Sequence, residues 1–173
     1  MGPTQSDPDP WRNLGEILAG RFTARARGLL ASGFTLLDGE GAQIGSLEIH
    51  GPAGADLEAG GAEARIERVG RAAFKMLSSG TEILTSTGKT TSPEITYLDR
   101  PYETSLSLLR NAAEAGPADD STTIRIRGSL TNRTYEASFD PGDEGSLPVT
   151  FFLLYRLVAL RREVYRTALQ QKQ

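Results

Sequence analysis

Between residues 149 and 160 the chain carries large apolar side chains on nearly every face of the helix they would form. Val149, Phe152, Leu153 and Leu157 fall on one side, and Phe151, Leu154, Tyr155 and Val158 on the other. A helix apolar all round cannot lie half in water; it has to be enclosed by protein or by lipid. The run from 147 to 160 is shorter than the roughly 20 residues a bilayer span needs, and Arg156 interrupts it. Protein is therefore the expected surrounding. The turn-forming stretch 141–146 precedes the run, with Ser146 placed to act as N-cap and Pro148 in the first turn, where amides have no helical partner. The spacing predicts a helix over about 147–169. Beyond Leu160, Arg161, Arg162, Glu163 and Arg166 return it to water and set positive charge near the negative end of its dipole.

What precedes that helix alternates with the period of two that a half-buried strand requires. From Arg21, the residues Phe22, Ala24 and Ala26 interleave with Thr23, Arg25 and Arg27. Residues 34–37 and 44–49 flank Asp38-Gly39-Glu40-Gly41, whose glycines tolerate the positive φ of a tight hairpin. Ala64 and Ile66 alternate with Glu63, Arg65 and Glu67. Phe74, Met76 and residues 82–87 suggest another hairpin, turning at Ser78-Ser79-Gly80, and the threonine-rich stretch 81–91 favours strand. Residues 51–61, rich in Gly, Ala and Pro, read as a loop, as do residues 115–121.

Two segments resemble each other. Arg100-Pro101-Tyr102-Glu103-Thr104-Ser105 and Arg133-Thr134-Tyr135-Glu136-Ala137-Ser138 each follow a short β-like run across a polar turn, and both are read as hairpins. In the first, Leu106, Leu109 and Ala113 also fit helical spacing up to Ala115; the match to the second favours strand to about Leu108. At the other end, Trp11, Leu14 and Leu18 predict a short helix over 11–19, between Pro10 and Gly20. Residues 1–10 are expected to form a disordered leader ahead of one domain spanning 11–173; they have no basic or apolar segment of the signal-peptide kind.

Some eight to twelve short strands followed by a helix that needs cover on all sides imply a mainly β protein, a closed antiparallel β-barrel wrapped around that helix. Closure also removes exposed strand edges. In this layout, in the stretch Phe34-Thr35-Leu36-Leu37-Asp38-Gly39-Glu40-Gly41 and in the terminal Val149-Thr150-Phe151-Phe152-Leu153-Leu154-Tyr155-Arg156-Leu157-Val158-Ala159-Leu160, the chain resembles the tubby C-terminal-like superfamily. That superfamily includes the phospholipid scramblases and the LURP-one-related proteins. The resemblance implies a barrel threaded by its C-terminal helix and a binding role at a membrane surface; it does not extend to a calcium motif of the scramblase type.

The residues available for chemistry are few. No cysteine is present, which excludes thiolate metal sites, disulfides and a Cys nucleophile and fits a reducing, cytoplasmic setting. His50 is the single histidine, at a strand end before Gly51-Pro52, and reads as a surface turn residue. Asp38 with Glu40, Asp119 with Asp120, and Asp140 with Asp143 and Glu144 lie in turns, where carboxylates commonly bond their own backbone; oxygen ligands of that kind also suit a divalent ion. No glycine-rich phosphate loop and no nucleophile elbow occur. The net charge of -3 gives no polyanion footprint, and no basic run is interleaved with aromatics, so nucleic acid is not an expected partner. Neither a cofactor nor an enzymatic activity is expected.

Paired arginines remain. Arg25 with Arg27, and Arg125 with Arg127, are spaced to project from one face of their strands, where guanidinium groups can hold phosphate oxygens bidentately. If the two strands are neighbours, an anionic phospholipid headgroup is the expected ligand. The competing reading makes these arginines solvated residues matched to Glu63, Glu67, Glu103 and Glu136 on adjoining strands. Arg156 is expected to reach the barrel mouth with its charged head. Two other functions fit a barrel: a carrier of a small apolar ligand, with its helix outside, and a carboxylate- or metal-dependent enzyme.

Overall fold

Twelve strands form one closed antiparallel sheet in the computed structural model, which describes residues 9–28 and 32–171. They are β1 (Arg21–Arg27), β2 (Gly33–Leu37), β3 (Gln43–Ile49), β4 (Gly54–Ala59), β5 (Ala62–Arg68), β6 (Phe74–Ser78), β7 (Thr81–Lys89), β8 (Ser92–Tyr97), β9 (Arg100–Ser107), β10 (Ala112–Pro117), β11 (Ile124–Gly128) and β12 (Thr134–Ser138). Each pairs with its neighbours in sequence, and β1 closes on β12 with Arg21 opposite Ser138 and Arg25 opposite Thr134. Helix α1 (Pro10–Leu18) precedes the barrel and α2 (Ser146–Gln171) follows it.

Small residues recur among the larger apolar ones at inward positions. Ala24 and Ala26 of β1, Ala55 and Ala59 of β4, Ala62 and Ala64 of β5, and Ala113 and Ala115 of β10 are all buried. An α-helix with its side chains needs a channel about 10–12 Å across, and short side chains on the wall leave that space. The helix fills it. Every residue of α2 from Ser146 to Tyr155 is buried. Phe151 stacks on Phe22 of β1 with ring centroids 4.7 Å apart, while Phe152 and Tyr155 meet Phe74 of β6 edge-on. Further on, the Tyr155 hydroxyl donates to the Gly51 carbonyl at 2.8 Å. Walls on opposite sides are thus reached by one helix.

The two ends differ. At one, α1 forms a plug: Trp11, Leu14 and Leu18 turn inward, Trp11 Nε1 donates to Ser78 Oγ at 2.9 Å, and Asp9 accepts from the Trp11 amide. At the other, α2 leaves the barrel, and its residues from 163 onward are exposed.

Several expectations need correction. Residues 51–61 are not a loop throughout: a single 3-10 turn, Gly51–Ala53, leads into β4, whose inward Ala55, Leu57 and Ala59 follow the period of two. Residues 115–121 likewise begin in β10, where Ala113 and Ala115 face in and the strand is held on both sides by β9 and β11. Neither stretch has β-branched residues to announce a strand; pairing partners supply what propensity does not. Ser146 is the first residue of α2 and not its cap: its hydroxyl donates to the carbonyls of Asp140 and Asp143. Pro10 belongs to α1 rather than to a leader, and residues 1–8 of that leader lie outside the described residues. The two similar hairpins are formed, as β8–β9 and β11–β12.

Candidate anion-binding wall

On the outside of the barrel the side chains that alternate with the core residues form rows across the strands. Strand β12 lies between β1 and β11, so the arginine-bearing strands are not neighbours. One row reads Arg21, Ser138, Arg125; the next reads Thr23, Glu136, Arg127. Strands lie about 4.8 Å apart, which sets Arg21 and Arg125 about 10 Å from each other across the short side chain of Ser138. Between them is a hollow of about 460 Å³, lined by Arg21, Arg125, Arg127, Ser138 and the carboxylates Glu136 and Asp38 among others, Asp38 standing in the β2–β3 turn at the end where α1 packs. Long guanidinium arms rising from both sides of a shallow floor can close on an oxyanion and share its oxygens.

Of the four arginines singled out from the sequence, Arg125 and Arg127 line this hollow. Arg25 sits one row nearer the exit end, opposite Thr134, and Arg27 is ion-paired with Glu48 of β3. Arg21 was missed, although it belongs to the same alternating set as Arg25. Only the register against β12 brings it beside Arg125. The matching acids are also mostly others: Glu136 faces Arg127, but Glu114 approaches Arg125 at 4.0 Å, and Glu67 pairs with Lys75. Glu63 and Glu103 lie on β5 and β9, away from these arginines.

A second hollow, of about 480 Å³, lies on β3 to β6 and has the opposite character, with Glu48, Asp56, Glu58, Glu63 and Glu67 around Arg65. At its edge exposed His50 meets Asp56, nitrogen to oxygen, at 2.8 Å. That contact holds the Asp56 carboxyl below the usual carboxylate range, against a smaller opposing effect of burial, with Arg65 adding to the lowering.

The turn carboxylates bond their own surroundings. Asp38 accepts from the amides of Glu40 and Ala42, and Asp140 from that of Gly142. Asp143 accepts from Arg100 and Tyr102. Among the described residues, no group of three or more carboxylate or histidine side chains comes together in a way that would hold a metal ion. Arg156 does reach the mouth. Its guanidinium lies over the Phe74 ring, 4.2 Å from the centroid, and burial pulls its pKa below the ordinary guanidinium value.

Charge also divides the barrel end to end. The turns at the plugged end hold Asp38, Glu40, Asp99, Asp119, Asp120 and Glu144; those at the exit end hold Arg71, Arg110 and Arg133, with Arg68 and Lys89 at the adjoining ends of β5 and β7. Summed over the chain these nearly cancel, which is why the net charge of -3 conceals them. Among the described residues no helix is long and apolar enough to cross a membrane.

Fold and wall together define a closed twelve-stranded antiparallel β-barrel built around its own C-terminal helix and carrying surface hollows of opposite charge. No protein-family model and no curated protein matches the sequence. The fold is similar to that of a protein from Arabidopsis thaliana known from its X-ray structure, with a TM-score of 0.57 over 87% of this chain and 96% of that one. At 12% sequence identity the likeness is one of fold.

Proposed function

We propose that this protein is a non-enzymatic, tubby-like barrel that acts as a binding module for anionic phospholipid headgroups, a cytoplasmic protein associating peripherally with membranes. The observation that carries the reading is the hollow flanked by Arg21, Arg125 and Arg127, where two guanidinium groups stand on either side of Ser138. Its size suits a phosphate ester, and its donors are of the type that binds one bidentately. The helix-filled barrel supports kinship with tubby-like proteins, whose resemblance suggested a membrane-surface role. The carrier alternative needs an open interior, and α2 occupies it.

Cosedimentation with vesicles of phosphatidylcholine containing phosphatidylserine, compared with phosphatidylcholine alone, tests the reading. Each basic residue near an anionic surface contributes about 1 kcal/mol, so Arg125→Glu with Arg127→Glu should weaken binding by on the order of thirtyfold or more. Wild-type protein that ignores anionic vesicles at low salt would end the proposal.

A further inference from the structure

Two leucines stand at the tips of adjacent hairpins at the exit end. Leu109, in the β9–β10 turn, is 93% exposed, and Leu130, in the β11–β12 turn, is 98% exposed. Because β10 pairs with β11, the two tips are side by side. Arg161 of α2 ties them together: its guanidinium donates to the Leu108 carbonyl and, at 2.7 Å, to Asn132 Oδ1. That contact also orients the free end of the helix. Side chains three, four, seven and eight residues beyond Arg161 return to the same face, and they are Val164, Tyr165, Ala168 and Leu169. Val164, Tyr165 and Leu169 are each more than half exposed, and Tyr165 lies beneath the Arg161 guanidinium at 5.5 Å. An uncovered apolar strip thus runs from the hairpin tips onto the projecting helix. Its borders are basic: Arg110 and Arg133 in the two turns, then Arg161 and Arg166 on the helix. The helix acid Glu163, two residues from Arg161, lies on the opposite face.

We propose that this sector of the exit end is a membrane-docking face, on which the barrel rests with Leu109, Leu130 and the Val164–Leu169 strip in the headgroup and acyl boundary of an anionic bilayer. It rests on the headgroup-binding reading for the nature of the surface. An interface of this kind presents phosphates to the arginines and hydrocarbon to the leucines within one shallow layer, as it does for amphipathic helices with basic borders. A second copy of the chain fits less well. Two-fold docking would set the basic border of one copy, with Arg110, Arg133 and Arg166, against that of the other, with no acid of this sector among the described residues to meet it. The acidic turns of the plugged end turn the barrel the same way, since an anionic surface repels that end and attracts the other. Of the arginines in the wall hollow Arg127 is nearest this rim, two residues before Ser129 and about 7 Å along its strand, while the hollow itself extends to the Asp38–Gly39 turn of the plugged end.

The test uses the full chain and vesicles of phosphatidylcholine with phosphatidylserine. Leu109→Asp with Leu130→Asp should lower partitioning about tenfold or more, with an unchanged melting temperature because these side chains contact almost nothing. In a separate Leu130→Trp variant, vesicles should shift the emission to the blue, the buried Trp11 at the opposite end staying constant. Wild-type binding that is weakened by Arg125→Glu with Arg127→Glu, but unaffected by the leucine substitutions and accompanied by unmoved Leu130→Trp emission, would overturn the docking face and leave the headgroup reading standing. Wild-type protein that binds no vesicle would overturn both. A concentration-dependent dimer in analytical ultracentrifugation that the leucine substitutions dissolve would assign the face to a second copy instead.

Discussion

Tyr102 donates its hydroxyl hydrogen to Asp143 across 2.7 Å, joining the wall of the barrel to the turn that sends the chain into its interior. Asp143 is almost wholly buried and also receives Arg100 at 2.6 Å. Burial, then the neighbouring carboxylate, pushes the Tyr102 phenol well above its ordinary range, so it stays a neutral donor. Removing the carboxylate leaves a buried hydroxyl and a half-buried guanidinium without a partner. Asp143→Ala should therefore cost about 2–3 kcal/mol in urea unfolding, and Tyr102→Phe only about 1 kcal/mol. Equal midpoints for wild type and Asp143→Ala would show that the turn is held some other way.

The same helix offers a strong and a weak site. Phe151 is fully buried between Trp11 and Phe22, whereas Leu169 is 68% exposed. Truncating a buried Phe costs about 3–5 kcal/mol and an exposed surface change stays within about 0.5 kcal/mol. Phe151→Ala should unfold at much lower denaturant than wild type, and Leu169→Ala alongside it. A small effect at Phe151 would mean that α2 does not fill the barrel.

Gly54, at the start of β4, has φ of 151°, and a Cβ there would run into the Ile66 carbonyl of β5. Gly41 also has positive φ, at 86°, but opens on empty space. Gly41→Ala should show the backbone strain alone, about 1 kcal/mol, and Gly54→Ala clearly more, because a paired strand must move. Thermal melts of the two variants check the order, and similar losses would contradict the close approach of β4 to β5.

Acid should weaken the β3–β5 face slightly. The Asp56 carboxyl is held below its unfolded value, chiefly by His50, so ionised Asp56 binds fewer protons in the native state than in the unfolded one near the carboxylate range. Its contribution is present above the unfolded value of 3.8 and is lost as pH falls through the lower folded value. Both partners are about half exposed, so the amount is about 0.5 kcal/mol or less. Asp56→Asn should flatten the acid limb of the stability curve by that amount; a limb as steep as wild type's would remove His50 and Asp56 as its cause.

Much of this molecule was legible before any coordinates. The alternation of Phe22, Ala24 and Ala26 with the arginines required a half-buried strand, and the apolar faces of residues 149–160 required enclosure, because both follow from local geometry and the cost of wetting hydrocarbon. Strands β4 and β10 were not legible. Their inward residues are mostly alanine, small because the helix needs the room, and such residues carry little strand propensity.

The candidate site divides in the same way. That Arg125 and Arg127 share a face was readable from their spacing, since successive strand residues point to opposite sides. That Arg21 joins them across Ser138 was decided by register between strands more than a hundred residues apart in the chain, and that Arg27 turns to Glu48 by the register of β1 and β3 against β2. Periodicity is a property of neighbours along a chain, so the sequence by itself determined which side chains go in and which go out. Cross-strand register and the closing of β1 on β12 are properties of the assembled sheet, and only the tertiary structure decided which of the outward charges meet.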